Sequence, residues 1–551
     1  MKNRILAKTL LVLILTAQSQ VEAQAAGLAT SAPQAVNRPT DQVVVKFASS
    51  SRSAKSLNDL DLAALKTAIN SFGYSSRFLR TTATGGHVFK LDRFVPASAL
   101  TAALTGLSQY VKNIESAEPD AIASNAQVFG ADPNYPNQWY LYNTPGGINP
   151  VPAWNYTLGA GVTVAVLDTG YLPHQDLSTV LSSGYDFVSD ITSSNDGGGR
   201  DANAMDPGDW RVAGQCPSPF DGAQNSSWHG LFVTGVIAET MNNGIGGVGV
   251  APSATILPVR VTGACGAYSS DIADGVTWAS GGTVPGVPAN SNPARVLNIS
   301  IGAHTSCPSY LQAAISGARN NGATIVVAAG NDAIDASNSS PANCLGVIVV
   351  AATDQTGGKA SFSNYGSIVS LSAPGVQIES TSNTGTTSPG QDSYLTTSGT
   401  SSAAPMVTGV AALMLSVNPT LNPDDVTIVL KGTAKAFPVS CSGCGSGIVN
   451  AANAVNAVRP GAATGTFSTS WGTRSGTSSS LALTNSGSGW VTGIKASCSQ
   501  SGSSITSPPP SALGPGQTVL IQAAVNSFTY TCGYVVSGNN ATNSSYVDNN
   551  F

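Results

Sequence analysis

Between Val162 and Val458, short apolar runs alternate with helical patterns. The runs cover residues 162–167, 255–261, 295–301, 324–329 and 347–352, and none shows strict alternation of apolar and polar positions. Near-continuous apolar runs of this length fit strands covered on both faces. Residues 230–240, 270–278, 310–321 and 400–416 carry helical patterns between and after them. Strand and helix in turn predict a doubly wound α/β domain with a parallel sheet. In such sheets, sites form beyond the carboxyl ends of the strands.

The flanks have other rhythms. Strands over residues 42–47 and 87–91, helices over 60–72 and 96–111, and a closing segment at 114–120 suggest a strand-helix-strand-strand-helix-strand unit. That is a ferredoxin-like α+β pattern. Beyond Arg459, short alternating runs at 480–484, 518–523 and 529–534 stand among turn residues and predict a small all-β sandwich. At the start, Lys2, Arg4 and Lys8 precede an apolar run over 9–17, then Val21-Glu-Ala23 and Ala23-Gln-Ala25. This reads as a secretory signal peptide with small-x-small cleavage sites. The expected plan is a signal at 1–25, an α+β unit at 26–127, the α/β domain at 128–459 and the β domain at 460–551. No later stretch reaches ~18 uninterrupted apolar residues, so stable membrane insertion is not expected.

Composition narrows the function. Of 551 residues only 10% are charged, and 24 Lys+Arg against 29 Asp+Glu give a net charge of −5. A basic nucleic-acid footprint is excluded, and 42% hydrophobic content argues against general disorder. Export makes disulfides the default state of the 8 cysteines. Cys441 and Cys444 lie in a loop before a helix, which favours a short-range disulfide over a redox-active pair. Nearest-neighbour pairing then joins Cys216 to Cys265, Cys307 to Cys344 and Cys498 to Cys532, one choice among about 105.

Three segments carry the chemistry. Val166-Leu-Asp-Thr-Gly170 puts Asp168 at the end of the first strand, and His229-Gly-Leu-Phe puts His229 at the start of a helix. Gly399-Thr-Ser-Ser-Ala-Ala-Pro-Met406 puts Ser401 at the start of another. A serine hydroxyl is a weak nucleophile until an imidazole takes its proton and a carboxylate holds that imidazole in one tautomer. Asp-Thr-Gly alone also suits an aspartic protease, but that mechanism needs two carboxylates, and no second Asp-Thr-Gly occurs.

The order Asp168, His229, Ser401 with these flanks resembles the subtilisin-like serine proteases (subtilases), over roughly residues 130–458. The resemblance implies a secreted, monomeric serine endopeptidase acting on protein or peptide substrates through an acyl-enzyme. It implies that Asn331 donates to the oxyanion, and that Ser300, Ile301 and Gly302 pair with an extended peptide. Ala328, Ala329 and Gly330 would form the other wall of the pocket, whose small residues leave room for a large apolar side chain before the scissile bond. Those walls carry no carboxylate except Asp332, which argues against selection of basic residues. A structural Ca²⁺ is implied, held by the Asn243 side chain, the carbonyls of Met241, Ile245 and Gly247, and the carboxylates of Asp132 and Asp176. Residues from about 41 to 123 look like the family's propeptide, an intramolecular inhibitor cut by Ser401 itself. Asp190, Asp196, Asp201, Asp206, Asp209 and Asp221 lie on a long insertion, for which a second calcium site and a solvated acidic loop both stay open.

Overall fold

A computed structural model describes residues 39–48, 59–120, 131–471, 478–498, 504–524, 534–539 and 546–547. The expected signal peptide and the segment ahead of Ala131 lie outside them. The chain divides into two compact units, residues 1–126 and 127–551.

In the first unit, β1 (Pro39–Phe47), α1 (Asp59–Ser71), β2 (Ser76–Thr81), β3 (His87–Pro96), α2 (Ala97–Thr105) and β4 (Ile114–Pro119) follow in order. The antiparallel sheet runs β2-β3-β1-β4. Its core gathers Val43, Val45, Leu65, Phe89 and Leu100. The helix expected over 96–111 stops at Thr105, where Gly106, a poor helix former, precedes a 3-10 turn at Leu107–Gln109. Leu107 stays in the core, so the apolar pattern outlasts the helix.

The second unit is built on a seven-stranded parallel sheet in the order β11-β10-β9-β8-β5-β7-β6. Its strands are β5 (Thr163–Asp168), β6 (Tyr185–Asp186), β7 (Thr255–Arg260), β8 (Val296–Ile299), β9 (Thr324–Ala328), β10 (Ile348–Thr353) and β11 (Leu371–Pro374). The longer helices are α3 (His229–Ala238), α4 (Ser269–Ala279), α5 (Ser309–Asn320), α6 (Thr400–Val417), α7 (Pro423–Thr433) and α8 (Ala451–Val458). Successive residues of a strand point to opposite faces. Accordingly, Val164 and Val166 of β5 pack with α3 and α6, while Ala165 and Leu167 pack with α4 and α5. Two buried faces explain the unbroken apolar runs. Among the described residues, α6 alone is a helix long and apolar enough to cross a membrane, and it lies buried in the core.

An antiparallel hairpin, β12 (Ile378–Asn383) with β13 (Asp392–Thr397), stands beside this sheet. Past α8 come β14 (Phe467–Trp471), β15 (Ser478–Asn485), β16 (Thr492–Cys498), β17 (Ser504–Ser507), β18 (Thr518–Ala524), β19 (Tyr534–Asn539) and β20 (Tyr546–Val547). They form antiparallel sheets β14-β15-β18-β17 and β16-β19-β20 around Phe467, Leu481, Leu483, Val491 and Ile521. Of the strand expected at 529–534, only Tyr534 is among the described residues. Disulfides join Cys216 to Cys265, Cys307 to Cys344 and Cys441 to Cys444. Cys498 is also disulfide-bonded, and Cys532 lies outside the described residues.

Candidate active site

The sheet delivers Asp168 as the last residue of β5, wholly buried. His229 opens α3 directly after Trp228, whose left-handed backbone (φ 51°) turns the chain and whose indole N–H bonds the Gly385 carbonyl at 2.7 Å. His229 Nδ1 lies 2.8 Å from Asp168 Oδ1. A carboxylate only accepts, so Nδ1 carries the proton and Nε2 is left as the base. The Thr169 N–H donates to the same oxygen at 2.8 Å, while Asp168 Oδ2 has no partner among the described residues. Burial pulls the His229 imidazole down, but the negative charges of Asp168, Asp209 and Asp206 outweigh it and hold the ring above its ordinary range.

Ser401 is the second residue of α6, and Pro405 follows four residues later in the same helix. Proline has no N–H, so the Ser401 carbonyl loses its usual helical donor. The Ser300 hydroxyl donates to that carbonyl at 3.2 Å. Ser300 is itself held by Asn298 Nδ2 at 2.9 Å, and Asn298 Oδ1 accepts from Thr408 of α6 at 2.8 Å. The edge segment and the serine helix are thereby locked together.

Asn331 Oδ1 accepts from the Thr400 N–H at 2.8 Å and from its hydroxyl at 2.9 Å. With the oxygen so engaged, the amide nitrogen faces the other way, toward Gly399. A Cβ on Gly399 would sit 2.8 Å from Ser401 Oγ, 3.5 Å from Asn331 Nδ2 and 3.6 Å from the Ser401 backbone nitrogen. One point of space is thus ringed by a hydroxyl and two N–H donors, and glycine keeps it open.

A cleft of about 360 Å³ runs past His229 along Ser300, Ile301 and Gly302. Phe220 and Asp209 of the insertion line it too, with the insertion tied to Cys265 by Cys216. Ser401 stands at its border through Ser300; among the described residues no hydrogen bond joins Ser401 Oγ to His229. Catalytic hydrogen bonds often close only on substrate binding. Ala328, Ala329 and Gly330 are not part of this lining: Ala329 is buried beside the sheet, and the Gly330 N–H bonds Thr400 Oγ1 at 3.1 Å. Sequence reasoning passed over Asn298 and Thr408, since nothing local marks two polar residues 110 positions apart as partners.

The implied calcium ligands meet at the loop after α3. Asp132 accepts from the N–H groups of Asn242 and Gly244 at 2.5 and 2.9 Å. Asp176 accepts from Asn243 Nδ2 at 2.7 Å and from the Tyr394 hydroxyl at 3.1 Å. Asn243 Oδ1 takes the Ile245 N–H at 3.1 Å, so its service as a ligand would need the amide to turn over. Among the described residues no hydrogen bond reaches the carbonyls of Met241, Ile245 or Gly247. Gly246 adopts φ +54°, and a Cβ there would collide with Asp176 Oδ2. Idle carbonyls, two buried carboxylates and a space only glycine leaves free fit a hard cation in kind. No group of three or more His, Cys, Asp or Glu that would hold a metal occurs among the described residues.

The solvated-loop reading of the insertion does not hold for Asp206 and Asp209, which are buried. The insertion folds back along the end of β5, where the Asp206 N–H bonds the Tyr171 carbonyl at 2.8 Å. Asp196 pairs with buried Arg260 at 2.9 Å, while Asp201 and Asp221 are exposed.

Residues 159–454 match the subtilase family of peptidases. The chain is 48% identical over 381 residues to an extracellular protease of Xanthomonas campestris pv. campestris, covering 69% of this chain and 65% of that one. It is 41% identical over 395 residues to an extracellular basic protease of Dichelobacter nodosus, covering 70% and 65% respectively. The match thus spans 65% of the length of each of these curated relatives. A solved protease structure from Pseudoalteromonas arctica is 50% identical with a TM-score of 0.58, over 59% of this chain and 98% of the other.

Proposed function

The chain belongs to the subtilase family, and from that premise we propose that it is a secreted serine endopeptidase working through an acyl-enzyme. The observation that carries this reading is the convergence of Ser401 Oγ, its own N–H and the Asn331 amide on one open point, at the border of the cleft holding the Asp168–His229 pair. Ser401 Oγ attacks the scissile carbonyl as His229 Nε2 takes its proton. The carbonyl oxygen becomes an oxyanion that Asn331 Nδ2 and the Ser401 N–H receive. Collapse breaks the C–N bond, and His229 returns the proton to the departing amine. Water then repeats the sequence on the ester and frees Ser401. Asp168 stays ionised throughout and stabilises the imidazolium.

Substrate would lie extended along Ser300, Ile301 and Gly302, with a large apolar residue before the scissile bond. Residues 26–127 serve as an intramolecular inhibitor that Ser401 cuts away, and residues 460–551 form a C-terminal β domain. A Ca²⁺ held by Asp132, Asp176, Asn243 and the carbonyls of Met241, Ile245 and Gly247 would supply rigidity rather than chemistry.

A serine-directed organophosphonate tests the reading. The processed protein should gain the probe mass on Ser401 and digest denatured casein, while Ser401→Ala should do neither and persist as uncut precursor. Processed parent protein that stays unlabelled would instead mark a silent binding protein.

A further inference from the structure

The insertion between Asp168 and His229 carries a buried carboxylate that the reaction scheme above leaves idle. Asp206 is 1% exposed. Its Oδ2 accepts from the Thr169 hydroxyl at 2.6 Å, and its Oδ1 from the Gly208 N–H at 2.8 Å. The Thr169 oxygen in turn accepts the Gly230 N–H at 3.0 Å. That N–H belongs to the first turn of α3, where no carbonyl of the helix itself is available to it. Thr169 also gives its own N–H to Asp168 Oδ1 at 2.8 Å, the oxygen that His229 Nδ1 meets.

One threonine therefore joins three things: the triad carboxylate, the helix that presents the imidazole, and Asp206. The Gly230 N–H and the Thr169 hydroxyl run in series to Asp206, as polarised hydrogen-bond chains ending on a carboxylate do, while the Thr169 N–H turns to Asp168. Negative charge near the first turn of a helix is favoured as well.

We propose that Asp206 is a positioning residue for the Asp168–His229 pair. Through the Thr169 hydroxyl it fixes the start of α3 against the end of β5, and it brings another buried negative charge near His229.

This inference rests on the proteolytic reading. The charges around it are few. His229 meets Asp168 from β5 and Asp209 and Asp206 from the insertion, and all three raise it against the pull of burial. Asp206 meets Asp209 and, from β7, Arg260; burial pushes its carboxyl up to about 7, so only part of its charge is present where His229 titrates and its pull on the imidazole there is fractional. Arg260 is itself engaged by Asp186 and Asp196.

The test compares parent, Asp206→Asn, Asp206→Ala and Thr169→Val, each counted by organophosphonate titration and assayed on a peptide substrate from acid to alkaline pH. Precursors that stall are processed in trans by the parent enzyme. Asn keeps an acceptor for Thr169 but not the charge. The acid limb of kcat/KM should move to lower pH by a few tenths of a unit, because a less basic imidazole stays neutral further down. Asp206→Ala and Thr169→Val should also lose about tenfold in kcat with KM unchanged, as misplacement of the base predicts. An acid limb that stays put in Asp206→Asn overturns the proposal, even if Asp206→Ala is crippled. Parent enzyme that neither labels nor turns over sinks the proteolytic reading instead, which is a different result.

Discussion

Asn331 spends its carbonyl oxygen on Thr400 and so aims its amide nitrogen at the space beside Ser401. In the proposed mechanism, replacing it with alanine removes one of two oxyanion donors and leaves the cleft lining alone. Asn331→Ala should lower kcat by about 10²–10³ with little change in KM, measured on a chromogenic peptide. An equal loss in KM and none in kcat would make Asn331 a substrate-binding residue instead. The candidate residues Asp168, His229, Ser401 and Asn331 could be named from sequence because each sits in a short run with a distinctive local pattern. The Pro405 motif illustrates this: the missing N–H that frees the Ser401 carbonyl is written four residues downstream of the serine. Asp206 was not legible. Its acidic neighbours left a second calcium site and a solvated loop both open, and the insertion returns to Tyr171 with Asp206 buried.

At the scale of elements, β5 and β7 to β10 of the large sheet were readable because both faces are buried and most positions are apolar, whereas the short β6 and β11 were not. The β12–β13 hairpin was not read either, since after Ile378 its buried positions are Ser380, Thr381, Ser382 and Asn383, which look like surface residues in a row. Glu239, the residue after α3, satisfies two of them: its Oε1 accepts from Ser380 Oγ at 2.9 Å and from the Thr381 N–H at 2.8 Å. Burial, reinforced by the charge of Asp176, pushes the Glu239 carboxyl up from 4.5 to about 8. The folded state therefore holds a proton that the unfolded chain releases near 4.5, so the group stabilises fully below that pH. The contribution is lost as pH rises toward 8. Glu239→Gln should flatten the fall of the unfolding free energy between pH 4.5 and about 8, by up to about 1.4 kcal/mol per pH unit. Denaturant titrations across that range check this, and identical slopes in the two proteins would refute it.

For the molecule as a whole, the C-terminal sheets are joined to the parallel-sheet domain by more than a linker. Trp490 belongs to the large apolar core, a Cβ on Gly432 of α7 would strike its ring, and Asp425 accepts the Gly493 N–H at 3.1 Å. Composition showed where the β region begins but nothing of this seam, because a tryptophan in a Ser/Gly-rich stretch does not declare what it packs against. Trp490→Ala should cost about 3–5 kcal/mol and detach the melting of the two parts. Differential scanning calorimetry would then resolve two transitions where the parent gives one; a single unshifted transition in the variant would mean the seam carries no stability.

Ser401, the proposed nucleophile, rides on α6, a helix closed in on nearly every side by the sheet and by α3 and α8. Chemistry and architecture therefore share one part. Heating that loosens the interior must shift the hydroxyl at the same moment, so inactivation and melting should trace the same curve, and catalytic output becomes a running gauge of whether the centre of the protein is intact.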